Sequence, residues 1–290
     1  MIEPLPDDRL KGETPLRQAQ LVMLRLLRAF HGICEERGWR YWLDAGTLLG
    51  AVRHGGFIPW DDDVDVIMPR EDYLAFCAAA PALLPYDMFF QSPESDPGFS
   101  CPWIKIRDRY SHLVERSGPY PYSQAIFIDV FPAVLETEAQ HRNRAFYSLL
   151  EPLRKRPEPL SPDLPLKSNA KRALVGAAQY AFIGAMKVPA LKRRFLKRMS
   201  SGMSAWAYEP PIRWLNSFPD EVLFPLKKIG FEGHEFWGPA DPHRYLADYF
   251  GDYMSLPPPE KRIGDHGVDE ILPIGPNPHF SGLKWEDYHR

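Results

Sequence analysis

The stretch YWLDAGTLLGAVRHGGFIPWDDDVDVIMP (Tyr41–Pro69) sets five aspartates and four glycines among strongly apolar neighbours. Acids packed so densely repel one another, so the chain must supply or recruit positive charge. The last third, DDDVDVIMP, reads as a strand that begins within the acids, runs to Met68 and stops at Pro69. Alternate side chains of a strand share a face, which puts Asp63, Asp65 and Ile67 on one side and Val64, Val66 and Met68 on the other. The second set is a core face. The first leaves two carboxylates roughly 6–7 Å apart at Cβ. At an effective dielectric near ~20 their repulsion is on the order of 2–3 kcal/mol.

Protonating one acid or binding a cation relieves this strain. A ligand set made only of oxygens suits a hard divalent ion, Mg²⁺ or Mn²⁺. Asp129 in IFIDVF is a third candidate, because an aspartate in so apolar a strand is unfavourable without a partner. Asp61 and Asp62 fit a turn ahead of the strand. Gly46 and Thr47 stand between a short strand and the helix TLLGAVRH. A residue without a side chain lets backbone N–H groups approach phosphate, and a helix N-terminus favours negative charge. Thr47 suits capping that helix, touching a phosphate, or both.

Outward from this stretch, residues 15–37 read as a helix with leucines at helical intervals, stopped by Gly38. WRYWL (39–43) is a short strand, residues 70–84 a helix, and 103–108, 112–116 and 125–131 further strands. Interleaved strands and helices imply an α+β (α/β) core with a mixed sheet. Residues 136–220 read differently, as a helical, proline-rich insertion. LKKIGFEGHEFWGP is expected to form a hairpin turning near Glu232-Gly233, PHRYLADYF a helix, and GDYMSLPPPEKR an irregular tail packed back on the body. One domain over 1–290 is expected, its core about 15–135 and 221–265.

The charge of −3 and pI near 6.3 argue against a nucleic-acid binder. The N-terminus lacks the basic and apolar regions of a signal peptide. Cys34, Cys77 and Cys101 fit neither a disulfide framework nor a zinc pattern. A cytoplasmic protein with free thiols is the expectation. The apolar run ALVGAAQYAFIGAM (173–186) is flanked by basic residues between Lys171 and Arg198. It is shorter than the ~20 residues of a spanning helix. It reads either as a buried helix or, with 171–198, as a peripheral contact on the anionic inner face of a membrane.

The run DAGTLLGAVRHGGFIPWDDDVDVIMP resembles the signature of the LicD family, which includes bacterial phosphocholine transferases and is related to fukutin and fukutin-related protein. The likeness extends through KIRD (105–108) and returns in FEGHEFWGP and YFGDYMSLPPPEKR. These proteins belong to the nucleotidyltransferase-fold superfamily, marked by a Gly-Ser or Gly-Gly loop, a D-x-D strand and a later acid on another strand. Gly46-Thr47 matches the loop with threonine as a departure, Asp63 and Asp65 match the D-x-D, and Asp129 matches the third acid. Asp61 fits a further acidic position.

The resemblance implies a nucleotidyltransferase-like mixed sheet flanked by helices, and substitution at the phosphorus of a CDP-activated alcohol, CDP-choline first. Phosphocholine would pass to a sugar hydroxyl of a cell-surface glycan or lipid-linked sugar, such as lipopolysaccharide or teichoic acid, with release of CMP. It implies Mg²⁺ or Mn²⁺ on Asp63, Asp65 and Asp129, with Asp129 or Asp61 accepting the hydroxyl proton. Lys105 is a candidate phosphate ligand, since Lys105, Arg107 and Arg109 alternate onto one face; a solvated basic face is the plainer alternative. Arg53 either touches substrate or serves as a cation at a helix C-terminus. Trp60 stacks on a base or an ammonium, or belongs to the core. A D-x-D glycosyltransferase or a nucleotidyltransferase is the rival reading, separated by the nucleotide released. An EF-hand is disfavoured because Val66 stands where that loop requires glycine.

Overall fold

Pro15 pre-sets the backbone of a first helical turn, and Thr14 before it accepts a hydrogen bond from the Arg17 N–H. Helix α1 (Pro15–Arg37) starts there and ends at Gly38, whose φ of +68° is the left-handed cap expected of glycine. The computed structural model describes residues 5–115, 121–137, 187–199, 202–209, 216–264 and 268–275, with a few isolated positions besides. The chain divides into two compact units, one of residues 1–133 and 221–290, the other of residues 134–220.

In the first unit, β1 (Trp42–Leu43) leads into α2 (Ala45–His54), then β2 (Asp65–Pro69) and α3 (Arg70–Leu83). Strands β3 (Met88–Gln91), β4 (Ile104–Asp108) and β5 (His112–Glu115) follow, then β6 (Phe127–Thr137), which carries the chain past the boundary of the unit. The main sheet runs in the order β1-β2-β6-β4-β3. Along this path β2 and β6 are parallel, and β1–β2, β6–β4 and β4–β3 are antiparallel. This is the mixed sheet of an α+β fold. Its register places Asp65 beside Asp129 and Asp129 beside Lys105, so three charged residues occupy one row across β2, β6 and β4.

The row crosses a large apolar core. All five residues of β4 are buried, and Phe127, Ile128, Val130 and Phe131 of β6 pack the central strand. On α1, Val22, Met23, Leu26, Leu27, Phe30 and Ile33 are buried at helical spacing. At ~25 cal/mol per Å², each such side chain contributes about 1.5–3 kcal/mol.

The second unit contains, among its described residues, α4 (Pro189–Met199) and the antiparallel strands β7 (Ser204–Tyr208) and β8 (Ser217–Pro219). Two short strands thus accompany a helix in the segment expected to be a helical, proline-rich insertion. The apolar run 173–186 lies outside the described residues, apart from two isolated positions. The chain returns to the first unit along the short helix α5 (Asp220–Leu223).

Strands β9 (Lys227–Phe231) and β10 (His234–Gly238) then form the expected hairpin, with Glu232 and Gly233 at φ +53° and +75° in its turn. Helix α6 (Pro242–Phe250) is capped by the Asp241 carboxylate. An irregular strap runs from Gly251 to Gly264 (apart from a short 3₁₀ turn), and β11 (Val268–Leu272) pairs with β5. The hairpin locks the first unit, because Glu232 takes two hydrogen bonds from Arg17 and one from the Phe57 N–H. Cys34 is buried, and Cys77 and Cys101 are half-buried.

Candidate active site

Helix α2 begins at Ala45, two residues earlier than expected, so Gly46 and Thr47 lie within its first turn rather than ahead of it. Asp44 is the N-cap residue, and Ala45 takes a φ of +40°, which bends the chain sharply from β1 into the helix. Thr47 is not the cap. Its hydroxyl accepts a 2.9 Å hydrogen bond from the Asp65 N–H and fastens α2 to the start of β2. Gly46 owes its missing side chain to a neighbour: a Cβ there would stand 3.0 Å from Asp61 Oδ2.

The acids separate into two groups. Asp65 opens β2, whereas Asp63 precedes the strand, so strict strand alternation does not relate the two as expected. Asp61, Asp62 and Asp63 each offer one oxygen within 4.8 Å of the others. Asp62, expected as an ordinary turn residue, is 4% exposed, and its carboxylate fills the space a Cβ on Gly264 would need, at 2.3 Å. The strap therefore closes over it.

Asp129 turns its oxygens elsewhere. Trp103 Nε1 donates to Oδ1 at 2.7 Å and Lys105 Nζ to Oδ2 at 2.9 Å. Among the described residues, Asp63, Asp65 and Asp129 are consequently brought together by register and charge rather than as one tight oxygen cluster.

Asp65 registers the crowding. Burial first, then the charges of Asp63, Asp129, Asp44 and Asp61, push its carboxyl well above the usual carboxylate range. Asp44 is fully buried, with Tyr245 of α6 donating to its Oδ1 at 2.5 Å.

Lys105 answers part of this charge. Lys105 is buried, paired with Asp129 and lies 3.3 Å from the centroid of the Phe127 ring. Arg107 is buried as well, bonded to Gln91 and the Ala125 carbonyl, which removes the alternative of a solvated basic face. Arg53, at the end of α2, donates to the Tyr253 carbonyl at 2.7 Å and lies within the field of Asp61. Trp60 is half-buried, with the Arg262 guanidinium 5.5 Å from its ring centroid and His54 edge-on at 6.4 Å, so it belongs to the rim and not the core.

The donor set of Asp61, Asp63, Asp65 and Asp129 is hard and oxygen-only. Asp65 and Asp129 are fixed side by side, and a half-buried rim carries Asp61 and Asp63. Such a set fits Mg²⁺ or Mn²⁺ and lacks the thiolates and imidazoles that favour zinc. Asp44, Tyr245 and Trp103 escaped sequence reasoning. Asp44 alone carried a signal, as an acid directly after the apolar strand WL and before a glycine-bearing turn.

The sequence is similar to those of known proteins. Residues 38–157 match the family model described as LicD/FKTN/FKRP, nucleotidyltransferase domain. The lipopolysaccharide cholinephosphotransferase LicD of Haemophilus influenzae is 28% identical over 276 residues, an alignment that covers 87% of this chain and 96% of that protein. The ribitol 5-phosphate transferase FKRP of Homo sapiens is 58% identical over 41 residues, which are 14% of this chain and 8% of that protein.

Proposed function

We propose, from the match of residues 38–157 to the LicD/FKTN/FKRP, nucleotidyltransferase domain model, that the protein is a metal-dependent phosphotransferase acting on a glycan. The donor is a CDP-activated alcohol and the product released is CMP. Both named relatives are transferases of a phosphate that carries an alcohol. The one related over most of its length is a cholinephosphotransferase, which favours phosphocholine as the group moved. One observation carries the reading: the parallel register of β2 and β6 sets Asp65 against Asp129 within a cluster of further carboxylates.

Asp63, Asp65 and Asp129 would hold the divalent ion, which when bound neutralises diphosphate oxygens and polarises the phosphorus. The chain's own groups do the rest. A sugar hydroxyl oxygen forms a new bond to the phosphorus bearing the alcohol. The bond from that phosphorus to the bridging oxygen breaks, and its electron pair leaves with CMP. Asp129 is held by Trp103 and Lys105, so the half-buried Asp61 is the better acceptor for the hydroxyl proton. Lys105 acts by positioning Asp129. Arg53 stands where it can meet phosphate charge, and the N-terminus of α2 at Gly46 and Thr47 offers backbone N–H groups to the same charge.

The test is incubation of the protein with Mg²⁺, a panel of CDP-choline, CDP-ethanolamine and CDP-ribitol, and candidate glycans, with the released nucleotide identified. CMP released only when acceptor and metal are both present is the expected result. Release of pyrophosphate would instead indicate a nucleotidyltransferase, and release of a nucleoside diphosphate from a sugar nucleotide a glycosyltransferase. Asp65→Asn should lower turnover by orders of magnitude with the fold intact.

A further inference from the structure

We propose that α4 is a docking element for an anionic lipid surface. Its eleven residues, PALKRRFLKRM, hold five cations (Lys192, Arg193, Arg194, Lys197 and Arg198) and no acid, in a chain whose net charge is −3. In sequence, apolar residues recur at 188, 191, 195 and 199, the three- and four-residue steps of one helical face. Val188 and Leu191 are 46% and 47% exposed, and Arg193, Arg194 and Lys197 are exposed too.

Apolar side chains exposed at Val188 and Leu191 beside exposed cations are the arrangement that lies in a lipid interface, the acyl boundary taking the first and anionic head groups the second. Nucleic acid would use the cations but would leave Val188 and Leu191 in water. No helix among the described residues is long and apolar enough to cross a membrane, so the contact is peripheral. The inference does not depend on the phosphotransfer reading.

The experiment is co-sedimentation of the full chain with phosphatidylcholine vesicles, with and without phosphatidylglycerol, at low and high salt. Binding should require phosphatidylglycerol and weaken as salt rises. Each cation contributes about fivefold near such a surface, so Arg193→Glu with Arg194→Glu should weaken binding at least ~10-fold. Leu191→Ser should weaken it on its own, and circular dichroism would verify that each variant is folded. Equal binding to neutral and anionic vesicles by the unaltered protein overturns the proposal without recourse to variants. So does anionic binding that the folded variants leave unchanged, or retention of duplex DNA with no vesicle binding.

Discussion

Tyr245 donates its hydroxyl hydrogen to Asp44 Oδ1 over 2.5 Å, joining residues 201 positions apart, and both side chains are fully buried. The bond ties α6, near the end of the chain, to the N-cap of the helix that borders the acidic cluster. Removing the hydroxyl leaves a buried carboxylate short of a donor. Tyr245→Phe should lower the unfolding free energy by about 1–3 kcal/mol, measured by urea denaturation. An unchanged midpoint would mean that the bond does not support the site.

Lys105 and Asp129 form a buried pair, so removing one partner strands the other's charge. Lys105→Met should destabilise by about 3–5 kcal/mol, read as a fall in melting temperature. Adding Asp129→Asn to the same chain should recover part of that loss, because the stranded charge is then gone. Additive losses would show that the two residues act independently.

The tight turn after α2 sets a ranking among glycines. A Cβ on Gly50 would meet the Gly56 carbonyl oxygen at 2.5 Å, and backbone cannot yield as a side chain can. On Gly46 it would meet the Asp61 carboxylate at 3.0 Å, and on Gly230 it would meet nothing within 4 Å. Gly50→Ala should cost about 1–3 kcal/mol, Gly46→Ala less, and Gly230→Ala about 0.5 kcal/mol or under. Thermal melts of the three variants give the order directly, and a reversed order would contradict the packing around α2.

His31 gives the fold a pH dependence of known sign. Burial, then the charge of Lys228, pulls its pKa down to about 4 against an ordinary value near 6.5, while Tyr41 hydrogen-bonds its Nδ1 at 2.7 Å. The unfolded chain therefore binds a proton more readily than the native one between those values. The contribution is whole above about pH 6.5 and is lost as pH falls through the window toward 4. After a discount for solvent screening it amounts to about 1–2 kcal/mol. Comparing the unfolding free energies of the unaltered protein and His31→Gln from pH 7 to 4 should show a steeper fall in the former; parallel curves would remove His31 from the account.

Much of the fold was legible because local rules agreed with tertiary packing. Thr14-Pro15 and Gly38 bracket α1, Glu232-Gly233 turns the hairpin, and the valines after Asp63 carry β2 into the core. Other features depend on long-range partners that no local pattern encodes. Arg9, within LPDDRLKGE, looks like a solvent residue. It is wholly buried because Asp7, Asp108 and the Pro273 carbonyl surround its guanidinium. Asp44 likewise joins the acidic cluster through the pairing of β1 with β2, which sets its N–H on the Asp65 carbonyl. A solvated Lys105 face stood as an open alternative, because alternation does not reveal that Lys105 pairs with Asp129 of β6 and Arg107 with Gln91 of β3.

The account rests on a divalent ion held by acids that the sheet register brings together. Titration of Mn²⁺, followed by the loss of its free-ion paramagnetic resonance signal, tests this most directly when the unaltered protein is compared with Asp65→Asn and Asp129→Asn. The expected result is a bound ion in the unaltered protein, displaced by Mg²⁺ and held at least ~10-fold more weakly by each folded variant. Equal Mn²⁺ affinity in all three proteins would contradict it.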